Sequence, residues 1–81
     1  MIVSVLIPKN KADKMSDLLI NTEIFGAISE IPTRKSSLSE LRAVCRKQTL
    51  GLEELEKINS VVCLFGEQTL KHMTIIPGAY S

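Results

Sequence analysis

Aromatic residues are scarce in this sequence, which limits how its interior can be built. Phenylalanine, tryptophan and tyrosine make up 4% of the 81 residues, and tryptophan is absent. Hydrophobic residues still reach 44% and charged residues 23%, a composition typical of a folded globular domain. The interior must therefore consist mainly of isoleucine, leucine and valine. A chain this short is expected to form a single domain over residues 1–81, with a core small enough to benefit from a partner subunit.

The chain has neither a strong net charge nor a long hydrophobic run. Its formal net charge at pH 7 is +1, which argues against a cationic coat for nucleic acid or a membrane surface. The apolar residues 2–7 end at Pro8 and are too few for a signal-peptide core or a bilayer span. We therefore expect no membrane association and a cytoplasmic location.

Residue types for catalysis or metal binding are also few. His72 is the one histidine, and the four glycines are too scattered to form a phosphate-binding loop. Cys45 and Cys63 lack the spacing of a CxxC motif, so we expect two reduced, buried thiols, with a pairing between them left open. We predict that the chain is not an enzyme and has no cofactor and no metal.

The hydrophobic pattern of the first half predicts a strand, a helix and a second strand. Residues 1–7 are rich in β-branched side chains and apolar on both faces, as in the interior of a sheet. Asn10 is the expected N-cap of a helix over residues 11–21, which has one apolar stripe. Residues 23–31 predict a second strand that Gly26 interrupts.

The strongest local pattern follows the second predicted strand. The sequence Ser-Leu-Ser-Glu at residues 37–40 matches a capping box, and we expect it to begin a helix with Leu41 and Cys45 on its apolar face. Gly51 leaves two alternatives: it separates this helix from a second one, or a single helix continues to Asn59. We favour the break, since glycine inside a helix costs about 1 kcal/mol relative to alanine.

The last third predicts two more strands. Residues 60–65 are apolar on both faces and indicate a central strand, and Met73–Ile76 indicates a final one. The predicted order is β-α-β-α-(α)-β-β. We expect an α/β fold, with α+β as the alternative: a two-layer domain whose three- to four-stranded sheet is covered by two or three helices.

One segment stands out by its charge. Residues 33–47 contain five basic side chains and one acid, Glu40. We predict that the basic side chains bind a macromolecular partner; they are Arg34, Lys35, Arg42, Arg46 and Lys47. The alternative is that they cover the core with their aliphatic stems and pair with acids in residues 53–56.

These observations favour a small, non-catalytic regulatory or adaptor module that acts by protein–protein binding as a homodimer. The main alternative is a nucleic-acid-binding regulator that uses the basic side chains of residues 33–47 for phosphate contacts. A lesser alternative is a small thiol-dependent enzyme that uses Cys45 or Cys63.

Overall fold

A four-stranded antiparallel sheet is the framework of the domain. The computed structural model describes residues 1–77. The strands are β1 (Ile2–Pro8), β2 (Phe25–Pro32), β3 (Leu38–Cys45) and β4 (Met73–Ile76), in the order β2-β3-β1-β4 across the sheet. All three pairings are antiparallel, so β1 and β3 occupy the middle and β2 and β4 the edges.

Three α-helices connect the strands. Helix α1 (Ala12–Ile20) follows a short 3₁₀ turn (Lys9–Lys11) and leads from β1 to β2, while α2 (Leu52–Cys63) and α3 (Glu67–Lys71) lead from β3 to β4. Because β3 lies between β1 and β2, the chain has the split β-α-β, or ferredoxin-like, connectivity. This arrangement hosts many unrelated functions, so function must be argued from the surfaces of this chain.

The core lies between one face of the sheet and the helices. Val3, Val5 and Ile7 alternate along β1 and are buried. Val3 is paired with Ala43 and Val5 with Leu41, which places the buried residues of both central strands on the same face. The helices complete this core with Ala12, Met15, Leu19, Ile58 and Val62.

The predicted fold class is confirmed, and four predicted elements lie at or within two residues of their expected bounds. Strand β4 has the bounds that the sequence predicts, and β1, α1 and β2 are shifted slightly. The pairing of β2 with β3 changes register between Phe25 and Ala27, so Gly26 interrupts the strand as expected. Asn10 is not the N-cap of α1, because it lies in the 3₁₀ turn and Lys11 precedes the helix.

The prediction of a helix beginning at residues 37–40 is wrong, because Leu38–Cys45 forms β3. The side chains of the expected capping box instead form hydrogen bonds with side chains of the neighbouring strands. Ser39 Oγ donates to Glu30 Oε2 at 2.6 Å, and Ser4 Oγ donates to Glu40 Oε2 at 2.7 Å. Gly51 does not separate two helices, as was favoured, because a strand and a loop precede it; it is the N-cap of α2.

The prediction of a strand over residues 60–65 is also wrong. Helix α2 extends to Cys63, and Gly66 follows the turn after it. A short apolar run does not distinguish a buried strand from a helix. Here Ile58 and Val62, four residues apart, are buried, whereas Cys63 and Leu64 are exposed. The observed order is therefore β-α-β-β-α-α-β.

None of the helices within residues 1–77 has the length and apolar character needed to cross a bilayer.

Candidate binding surface on the open face of the sheet

The face of the sheet opposite the core consists of side chains that are exposed or half-buried. We call it the open face. Its members follow from the register of the strands and the alternation of side chains along them. No side chain of this face within the described strands is buried. The face is therefore available to a partner.

The register arranges the open face in rows that run across the strands. One row is apolar and crosses all four strands; it consists of Ala27, Val44, Ile2 and Ile76. The next row is polar and consists of Ser29, Arg42, Ser4 and Thr74. A third row is mixed and consists of Ile31, Glu40 and Leu6. Directly opposed side chains on one face contact each other, so the apolar row forms a continuous band.

A compensated charge pair lies in the middle of the open face. Arg42 Nε donates to Glu40 Oε2 at 2.8 Å, and Ser4 Oγ donates to the same oxygen at 2.7 Å. The Arg42 hydrogen bond and, next, the Ser4 hydrogen bond hold the pKa of Glu40 below its ordinary value. The side chain of Glu40 is 21% exposed and that of Arg42 is 50% exposed. The opposite charges of Arg42 and Glu40 therefore cancel each other at this position.

The five predicted binding residues lie at three separate places. Arg34 and Lys35 are in the β2–β3 loop, Arg42 is in the centre of the open face, and Arg46 and Lys47 follow β3. The eight residues of β3 separate the two outer groups by about 25 Å at about 3.3 Å per residue. The structure does not bring the five side chains into one basic patch.

Arg46 makes contacts within the fold. Its Nε donates to the carbonyl oxygen of Phe25 at 3.2 Å, and its backbone N–H donates to the carbonyl oxygen of Ile24 at 3.0 Å. Arg46 and Lys47 line a shallow cavity together with Lys57 and the acids Glu23 and Glu54. Because both signs of charge meet there, this end of β3 has little selectivity for an anion.

Sequence reasoning missed the apolar side chains of the open face as binding residues. The available signal was that β1 is apolar on both faces, with Ile2 and Leu6 alternating with the core residues. Taken alone, that pattern predicts burial on both sides. In the structure, β1 is central within the sheet, but helices cover only the face of Val3, Val5 and Ile7.

The two cysteines are free, and they differ in environment. Cys45 is buried, and this burial raises the pKa of its thiol. Cys63 is exposed at the end of α2, so the expectation of two buried thiols is wrong for this residue. Within residues 1–77, no three His, Cys, Asp or Glu side chains are grouped closely enough to hold a metal ion.

Comparison with known proteins finds no matching family model, no similar curated protein and no similar solved structure. Function must therefore be inferred from the geometry of this chain.

Proposed function

We propose that this chain is a small, non-catalytic regulatory or adaptor module of the cytoplasm that acts through protein–protein contacts and forms a homodimer through its open face. The observation that carries the proposal is the apolar row of Ala27, Val44, Ile2 and Ile76 across the sheet. Contiguous apolar surface of this kind is typical of interaction sites. The two free thiols are compatible with a reducing compartment.

The size of the open face supports a second copy as its occupant. Three strands of about seven residues and β4 with four, spaced by about 4.8 Å and rising about 3.3 Å per residue, give a face of about 400 Å² in projection. Two such faces would cover about 800 Å² in projection, below the lower limit of about 1,000 Å² for a specific interface. The relief of the side chains adds accessible surface to this projected area.

The order of the rows supports a symmetric arrangement. A two-fold axis parallel to the strands, between β1 and β3, places each row against the same row of the partner. Ile2 then faces Val44 of the partner subunit, and Ser4 faces Arg42 of the partner subunit. In the apolar row, apolar side chains meet apolar side chains, whereas in the mixed row Leu6 faces Glu40 of the partner subunit. The Glu40–Arg42 pair enters the interface with its charge already compensated.

Nucleic-acid binding is the alternative, and the geometry supports it less. Arg42 is paired with Glu40, and the remaining basic residues lie at opposite ends of β3. Sheets that bind single-stranded nucleic acid stack bases on aromatic side chains. Among the described residues, Phe25 is buried in the core and Phe65 follows α2. Salt-sensitive binding of mixed-sequence RNA that is lost in Arg34→Glu/Lys35→Glu would favour this alternative.

Sedimentation equilibrium tests the homodimer. We expect the wild-type chain to have twice the monomer mass of 9.0 kDa and Val44→Glu to have the monomer mass, because a charge would interrupt the apolar row. Leu64→Glu is the matched control, since Leu64 is 74% exposed and lies beyond α2, and it should remain dimeric. Circular dichroism verifies that both variants fold. A monomeric wild type, or an unchanged mass in Val44→Glu, would refute the proposal.

A further inference from the structure

We infer that one end of the open face holds a binding site for a small organic anion that carries an apolar group. A cavity of about 260 Å³ lies where the β2–β3 loop approaches the end of α3, and it is lined by Leu6, Thr33, Arg34, Lys35, Leu38 and His72. A second cavity of about 300 Å³ shares Leu6, Leu38 and His72. The two cavities therefore adjoin, and together we call them the groove.

The floor of the groove is apolar. Leu6 of β1 and Leu38 of β3 are both half-buried members of the open face. Leu6 is paired with Glu40, and Leu38 is paired with Pro8, so the two leucines are diagonal neighbours on adjacent strands. Side chains in this relation are close enough to share one contact surface. They provide a site for an aliphatic or aromatic group.

The rim of the groove is cationic or hydrogen-bond donating. Arg34 and Lys35 line the first cavity beside His72, and the residues that line this cavity include no acid. A guanidinium group presents a planar set of donors that matches a carboxylate or a phosphate, and an ammonium group adds a point charge. Charge complementarity therefore selects an anion, in contrast to the mixed-charge cavity around Arg46.

Hydrogen bonds hold the loop that carries the two cations. The Thr33 hydroxyl oxygen lies 2.8 Å from the carbonyl oxygen of Lys35 and accepts from the Lys35 backbone N–H at 3.2 Å. The Leu38 N–H donates to the Lys35 carbonyl at 3.0 Å, and the Lys9 N–H donates to the Ser37 carbonyl at 2.9 Å. A loop braced in this way loses little conformational entropy when a ligand binds. Leu6 and Leu38 also belong to the open face that the proposed homodimer buries, so a ligand and a partner subunit compete for this end of the face.

An NMR titration of Val44→Glu with 3-phenylpropionate tests the inference, because this variant leaves the open face uncovered whether or not the wild type is a dimer. We expect chemical-shift changes at the methyl groups of Leu6 and Leu38 and at the backbone of Arg34 and Lys35, with a dissociation constant of about 1 mM. Neutral 3-phenylpropanamide and acetate, which each lack one of the two recognised parts, should bind about tenfold more weakly. Phenyl phosphate, titrated in parallel, shows whether the site prefers a phosphate or a carboxylate.

Two variants test whether the cationic side chains of the rim bind the ligand. Arg34→Gln/Lys35→Gln should weaken 3-phenylpropionate binding about tenfold, because both charges are removed from exposed positions without disturbing the core. Both are made in the Val44→Glu background; Lys11→Gln is the matched control, since Lys11 is exposed in the 3₁₀ turn, and it should leave the affinity of Val44→Glu unchanged. Equal affinity for the acid and its amide, no shift changes at Leu6 and Leu38, or undiminished binding in the double variant would overturn the inference.

Discussion

Gly66 adopts a backbone conformation that is almost restricted to glycine. Its φ is 108° and its ψ is 163°, at the junction between α2 and α3. Because a Cβ atom is strained in this region, Gly66→Ala should lower the free energy of unfolding by about 1–3 kcal/mol. Gly26→Ala is the control, because its Cβ would meet Arg46 Cγ at an ordinary 3.6 Å. Urea denaturation compares the two, and an equal loss in both variants would contradict this explanation.

Glu40 should make stability depend on pH. Its pKa is lowered in the folded protein by the Arg42 and Ser4 hydrogen bonds. Its contribution to the free energy of unfolding is therefore complete above the pKa of the unfolded chain, about 4.3. This contribution is lost as the pH falls through the lower folded value. Between pH 7 and pH 3, the wild type should therefore lose more unfolding free energy than Glu40→Gln. Glu56→Gln should follow the wild type; a parallel pH dependence in all three proteins would rule out this role of Glu40.

The two thiols should differ in reactivity. Cys63 is exposed, whereas Cys45 is only 6% exposed and has a raised pKa, which reduces its thiolate fraction near neutral pH. Iodoacetamide should therefore modify Cys63 in the native protein and Cys45 only after unfolding. Peptide mass spectrometry identifies the modified site. Faster modification of Cys45 than of Cys63 in the native state would show that the reagent reaches this part of the core.

At the scale of the elements, α2 is held by the residues that it places against the sheet. Ile58 is fully buried, and Leu52, on the same helix, is 74% exposed. Ile58→Ala should lower the free energy of unfolding by about 2–5 kcal/mol because it leaves a cavity in the core. Leu52→Ala should change stability by less than about 0.5 kcal/mol. Denaturant unfolding of both variants measures the difference, and similar losses would mean that α2 packs differently.

The elements that the sequence predicts well are those whose evidence is local. Residues of β1 and β4 are mostly apolar, and α1 has an apolar stripe with helical spacing. Strand β3 was missed because its most conspicuous pattern, Ser-Leu-Ser-Glu, also has a local meaning as a helix start. What makes it a strand is its backbone pairing with β1 and β2, which is accompanied by side-chain hydrogen bonds from Ser39 to Glu30 and from Ser4 to Glu40. Such contacts between distant residues are not visible in one sequence.

The candidate sites could be predicted only in part for the same reason. Arg34 and Lys35 are identified by charge alone, but the groove also needs Leu6 and His72, which lie far from them in sequence. The apolar row of the open face depends on the strand order and on the pairing of Ile2 with both Val44 and Ile76. Composition and periodicity contain neither piece of information.

At the scale of the whole molecule, the sheet has helices on one face and an apolar row on the other. A small domain with a single aliphatic core gains stability when a partner covers such a row. The open face is also where the charge pair and the anion groove lie. One surface therefore combines the features that we assign to self-association and to ligand binding.

Isotope-filtered NMR on a mixture of ¹³C-labelled and unlabelled chains tests the open-face interface most directly. The proposed symmetry predicts intermolecular contacts between the methyl groups of Ile2 and Val44 of the partner subunit. If intermolecular contacts arise instead from the helical surface at Leu52 and Leu64, or if none is observed, the open face is not the dimer interface.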